Sequence, residues 1–266
     1  MQLIEAYNET ATKQTLYRLM GNYCIPGSPE QVCIADIYDE LGREVPVFSP
    51  YHTGDGQFLT DLYTFPMIYP QGDQGSQVAD ALYDFCRRKF EGGSYFHFKS
   101  TRVPVDERMM INVTDQAHAV ALVRYVLSVA NGLIRHIKFY AVGRAPADKG
   151  LKFDKVVIYY DRIDRQAIYN HVLAGAIDRH CVFNRSLNGF LHVAGDDNGG
   201  YPVGIGQEIA GTSFTKDRTK KVFEELTGLS PDGKDEHTYY QVLNVPYTNA
   251  YMDGIYDRVI RSVRPY

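Results

Sequence analysis

Two cations stand two residues apart in the run IRHIKFYAV at residues 134–142, where His136 and Lys138 alternate with Ile137 and Phe139. Alternation is the signature of a strand, whose successive side chains point to opposite faces. With Ile137 and Phe139 turned to a core, His136 and Lys138 share the other face. That face is either solvated or the wall of a cleft for an anion, and the spacing allows both. Arg108, Arg144, Lys149 and Lys152 lie near it in the chain and are the cations such a cleft could use. A second alternating run, 94–103, sets Tyr95, His97 and Lys99 on one face and Phe96 and Phe98 on the other.

Other chemistries lack their residues. There is no HExxH and no pair of His at metal spacing on one helix, so His118 and His171 read as ordinary helix residues. Cys24, Cys33, Cys86 and Cys181 are scattered, which suits neither a zinc site nor a disulfide framework. No metal and no cofactor is expected. GxSxG is missing, which disfavours an α/β-hydrolase nucleophile. The stretch GYPVGIG has neither phosphate-loop spacing, so Gly204 and Gly206 are expected to permit a bend or a close chain approach. The acidic pairs Asp196–Asp197 and Asp235–Glu236 read as solvated loops.

Positioning these residues requires a folded core. The chain has 266 residues, 44% hydrophobic and 13% aromatic, which is enough to bury one and too apolar for disorder. Its 28 basic and 32 acidic residues leave a net charge of −4, which disfavours a globally basic nucleic-acid binder. No apolar run approaches a membrane span, and MQLIEAYNET does not read as a secretory signal. A cytoplasmic protein with neither nucleic-acid nor membrane partners is therefore expected.

Periodicity predicts helices over 3–23 and 77–90, and loops with short elements between about 32 and 74. Strands are predicted at 94–103, 108–113, 133–142 and 156–160. A helix after Thr114 as N-cap ends near Gly132, and another spans 162–182. Residues up to Gly206 read as loop-rich, followed by helices near 215–226 and 251–263. The sum is an α+β fold: a mixed, mostly antiparallel sheet flanked by helices, with an N-terminal helical and irregular region. Two regions are expected, 1–92 as a helical and loop-rich part for peptide or partner binding and 93–266 as the α+β core.

The order RMMINV, helix, IKFYAV, KFDKVVIYY resembles the HopA-type effector family of plant-pathogen secretion systems. The family's R-x-D-x-x-V-x-Y element appears as Lys152, Asp154, Val157 and Tyr159, with Lys in place of Arg. Its Gly-rich stretch followed by S-F-x-x-x-R appears as GIGQEIA and then Ser213, Phe214 and Arg218. The likeness runs from about Arg108 to Leu226.

The resemblance implies an activity. HopA-like proteins of lanthipeptide and thioamitide biosynthesis work beside a kinase-like subunit and eliminate phosphate from phospho-Ser or phospho-Thr of a precursor peptide. Their core is similar to the phosphothreonine lyase effectors. On that likeness Lys138 matches the base, Arg108 and His136 match phosphate-side cations, and the family's acid His falls on Met110. A methionine cannot donate a proton, so His97 is the first alternative as acid and Tyr159 the second. Arg108 and Arg218 are assigned to phosphate, with Lys152 and Arg144 in support, since a guanidinium keeps its charge and donates two parallel bonds. The base has to be a neutral amine, expected to be favoured by cationic neighbours such as His136 and Arg135. The alternative is a non-catalytic HopA-like effector or scaffold that docks on a protein partner.

Overall fold

The computed structural model describes Lys13, Leu16 and residues 31–42, 94–100, 105–114, 116–130, 132–141, 152–184, 187, 191–194, 200–207, 214–243 and 248–263. The helices predicted at 3–23 and 77–90 lie essentially outside these, apart from Lys13 and Leu16, both helical.

Runs rich in Val, Ile, Tyr and Phe pair into one six-stranded sheet. Its members are β2 (Ser94–Ser100), β3 (Glu107–Ile111), β4 (Ile134–Ala141), β5 (Val156–Tyr160), β6 (His192–Ala194) and β7 (Val203–Gln207). They lie in the order β2-β4-β5-β3-β7-β6, and every pairing between these described strands is antiparallel. With the helices α1 (Ile34–Gly42), α2 (Gln116–Ala130), α3 (Arg165–Asp178), α4 (Phe214–Thr227) and α5 (Asn249–Val263), the fold is α+β. A short antiparallel pair joins β1 (Gln31–Val32) to β8 (Tyr240–Gln241).

Period-2 alternation sorts the strand residues onto two faces. On one, Met109, Ile111, Ile137, Phe139, Val156 and Ile158 are fully buried with Val120, Val123 and Val126 of α2 and Ile168 and Val172 of α3. On the other, Met110 and Val157 join Leu191 and a second cluster built from α1 (Ile37, Leu41), α4 (Val222, Phe223) and α5 (Met252, Ile255). The sheet thus lies between two helical layers, the arrangement that buries both its faces.

Several local expectations are corrected. Within the stretch expected to hold loops and short elements, residues 34–42 form a helix, with Ile34, Ile37 and Leu41 at helical spacing on its buried side. Val203–Gln207 is a strand within the sheet, not a bend. Gly204 does serve a close approach: a Cβ there would sit 2.4 Å from Leu191 Cδ1. The helix expected over 162–182 is a 3-10 turn at Arg162–Asp164 followed by α3, which ends at Asp178. The Thr114 hydroxyl donates to the Val182 carbonyl at 3.2 Å, tying the loop after β3 to the chain beyond α3.

Candidate functional site

Register decides which polar side chains meet. Arg108 of β3 pairs with Tyr159 of β5, and Tyr159 pairs with His136 of β4, so the three form one row across neighbouring strands. The next row on the same face runs His97, Lys138, Val157, Met110, Gly204. A bulge between Ile134 and His136 shifts the pairing of β4, and beyond it His136 and Lys138 share a face while Ile137 and Phe139 are fully buried on the other.

Contacts reinforce the first row. The Arg108 guanidinium carbon lies 5.3 Å from the centre of the Tyr159 ring, and that ring stacks on His136 at 4.8 Å and 18°. Arg108 is 3% exposed. A guanidinium over an aromatic face gains from the ring quadrupole and is held in one orientation. In the second row Met110 is buried in the apolar cluster beneath α4 and α5, so this position packs and does not donate a proton. His97 is opposite Lys138 in the β2–β4 register.

A carboxylate stands beside Lys138. Its Nζ is 3.7 Å from Asp154 Oδ2, with both side chains largely buried. Arg135, expected beside it, sits at the bulge and forks onto Asp161 at 2.6 Å and 3.1 Å. Asp154 follows Lys152 by two residues, and Lys152 Nζ lies 5.5 Å from the ring centre of Tyr38 on α1. Burial and then Asp154 push the Tyr38 phenol up, while Lys138 pulls it down. Tyr140 is likewise raised by burial and by Asp154. Both phenols are therefore kept protonated, by burial first and by the nearby carboxylate second.

Arg218 lies on α4, 1% exposed, and its Nη1 donates to Asp217 at 2.9 Å. Lys221, one turn on, reaches the same Asp217 oxygen at 3.4 Å. Gly42 at the end of α1 lies against both Lys152 and Thr215 of α4, which places the start of α4 beside Lys152. The structure thus groups Arg108, Tyr159 and His136 directly. Lys138 follows on β4, and Lys152 joins through Tyr38 and Asp154. Arg218 is buried in the covering helix, and Arg144 lies outside the described residues.

Several polar groups escaped the sequence reading. Lys155, 1% exposed, donates to Asn112 Oδ1 at 2.5 Å, and strand parity puts both residues on the face of Arg108 and Tyr159. Parity with Val157 and Tyr159 was the available signal, masked by the charged run KFDK. On the opposite face the fully buried Glu107 accepts from Tyr160 at 2.9 Å and from Arg165 at 2.7 Å and 2.5 Å. Tyr38 was hidden because its place depends on α1 docking beside Lys152. No protein-family model matches this chain, and no curated protein matches it.

Proposed function

We propose that this face binds the phosphoryl group of a phosphoserine or phosphothreonine peptide and that the chain eliminates it, leaving dehydroalanine or dehydrobutyrine. The observation that supports the reading is the register that sets Arg108, Tyr159, His136 and Lys138 on one face, with Lys152 against Tyr38 of α1. Such a set suits a dianionic ester. Arg108, beside the Tyr159 ring, is assigned to two phosphate oxygens, with His136 and Lys152 adding charge.

In the elimination a base takes the α-proton of the phosphorylated residue. The C–H electron pair becomes the Cα–Cβ double bond, the Cβ–O bond breaks, and phosphate departs with the bridging oxygen. Lys138 is assigned as the base. It lies 3.7 Å from Asp154 Oδ2, and an amine takes the α-proton only in its neutral form. His97, opposite it in register, is assigned as the acid for the bridging oxygen, with Tyr159 as the second candidate. Cations hold the leaving phosphate, which becomes more negative at the oxygen released. A kinase-like subunit that makes the phosphate ester on a precursor peptide, in the bacterial cytoplasm, completes the proposed setting.

The Lys138–Asp154 pair favours a second reading, a non-catalytic module that docks on a phosphorylated or acidic partner, because an ammonium cannot accept the α-proton. Mass spectrometry of a phosphopeptide incubated with the protein separates the two. Loss of the whole phosphoric acid supports elimination, an unchanged bound peptide supports docking, and return of the free alcohol overturns both.

A further inference from the structure

A cleft of about 350 Å³ has α1 and α4 as its two walls, and the segment 228–239 completes it with Glu236 and His237. The ends of this segment are fixed by packing. Thr227 is buried at the end of α4, where Leu226 O accepts from Leu243 N at 2.9 Å, and Tyr240 meets the Phe223 ring edge-on at 5.4 Å. Between these anchors every residue is exposed apart from the half-buried Pro231, so no fully buried side chain holds the segment down.

Its ties to the rest of the fold are polar. Glu236 pairs with Lys216 of α4, and its backbone carbonyl accepts from Ala35 N of α1 at 2.9 Å. Lys220 reaches Asp232 at 3.4 Å, Lys234 Nζ lies 5.5 Å from the Tyr240 ring centre, and the Tyr239 hydroxyl donates to Asp36 at 2.7 Å. Ion pairs this exposed are weak and are screened by salt. Within the segment Asp235 accepts from His237 N at 2.9 Å and from Thr238 Oγ1 at 3.1 Å, which keeps the tip folded as one body. Gly228 and Gly233 have φ of 68° and 74°, left-handed values that a glycine adopts without a Cβ penalty, and they give the segment its turning points.

We infer that residues 228–239 are a hinged lid over the α1–α4 cleft, latched shut by the Lys216–Glu236 ion pair. A segment with few buried contacts and exposed polar ties opens locally, ahead of global unfolding. Opening lifts Glu236 and His237 away from a cleft that Tyr38 also lines, and Tyr38 meets Lys152 at the edge of the cationic face. It uncovers Cys33 as well. The antiparallel β1–β8 pair sets Val32 against Tyr240, so Cys33 stands opposite Tyr239, and it is 2% exposed with the lid shut. The latch operates whether or not the cationic face binds a phosphate.

Pulse alkylation of the full chain with iodoacetamide, each cysteine followed by peptide mass spectrometry, tests the lid. Cys181, buried in the core cluster under α2 and α3, is the internal control. The Cys33 rate follows the open population when reclosing is fast relative to alkylation. Glu236→Gln, at an exposed position, is expected to speed Cys33 alkylation by about twofold to fivefold, the scale of one exposed ion pair, and to leave Cys181 unchanged. Lys216→Gln is expected to match it, and the double variant to exceed neither. Salt at about 1 M is expected to speed Cys33 in the parent chain and not in Glu236→Gln, because only the parent has the pair to screen. A Cys33 rate that neither substitution nor salt changes overturns the latch. A Cys33 rate that rises only in step with Cys181 reports loosening of the whole fold and overturns a lid that moves by itself.

Discussion

Lys138 is the residue on which elimination and docking diverge, because its charge state decides whether it takes a proton or holds an anion. Arginine at this position keeps the charge and cannot be a base, since its guanidinium does not deprotonate in proteins. Lys138→Arg is therefore expected to bind a phosphopeptide and fail to eliminate phosphate, and Lys138→Ala to lose roughly 10²–10⁴ in turnover, the usual contribution of a general base. Mass spectrometry alongside anisotropy measures both, and unchanged turnover in either variant removes Lys138 from the chemistry. Arg108 differs in kind. Buried over Tyr159, it offers a planar fork that a lysine cannot reproduce. Arg108→Lys is expected to weaken phosphopeptide binding by about 1.5–3 kcal/mol, the worth of one charge-assisted hydrogen bond, as read by titration calorimetry.

Among the elements, β7 carries the most exacting local demand. Its Gly204 lies in register with Met110 on one side and Val193 on the other, directly against Leu191. A methyl group there meets Leu191 Cδ1 at 2.4 Å and its Cβ at 3.2 Å, and Leu191 is only 1% exposed, so it has little room to yield. Gly204→Ala is expected to destabilise the fold by about 1–3 kcal/mol through overpacking, measured as a lower urea midpoint at an unchanged slope. Serving as the outer neighbour of β3, this strand also supports the row that holds Arg108.

Across the whole molecule, stability depends on a polar knot behind the sheet. Glu107 is fully buried and receives Tyr160 from β5 and Arg165 from α3, with Arg162 at 3.5 Å, so one carboxylate fastens two strands to the helical layer. Burial, and next the Glu107 charge, hold the Tyr160 phenol far above its ordinary value of 10.0. The folded chain keeps this proton at pH values where the unfolded chain has released it. The resulting stability is complete below about pH 10 and is lost as pH climbs above it. Alkaline unfolding followed by circular dichroism is expected to show this loss. Tyr160→Phe is expected to flatten the dependence above pH 10 and to lower stability at neutral pH, where it removes a buried hydrogen bond and leaves Glu107 with one donor fewer.

The strand 156–160 was legible in the sequence to the residue, and so was the alternation of Ile137 and Phe139 against His136 and Lys138. Side-chain direction along a strand is a local property with period 2, so the sequence by itself determined which residues share a face and which are core. It could not say whether that shared face meets water, since the cover over it comes from α1, α4 and α5, all distant along the chain. Nor could it reveal that Asp154 would stand beside Lys138, or that Arg135 would be claimed by Asp161 across the bulge. Only the tertiary structure decided these partnerships. Register and helix docking are selected by how much apolar surface distant segments bury together, and polar neighbours follow from that selection.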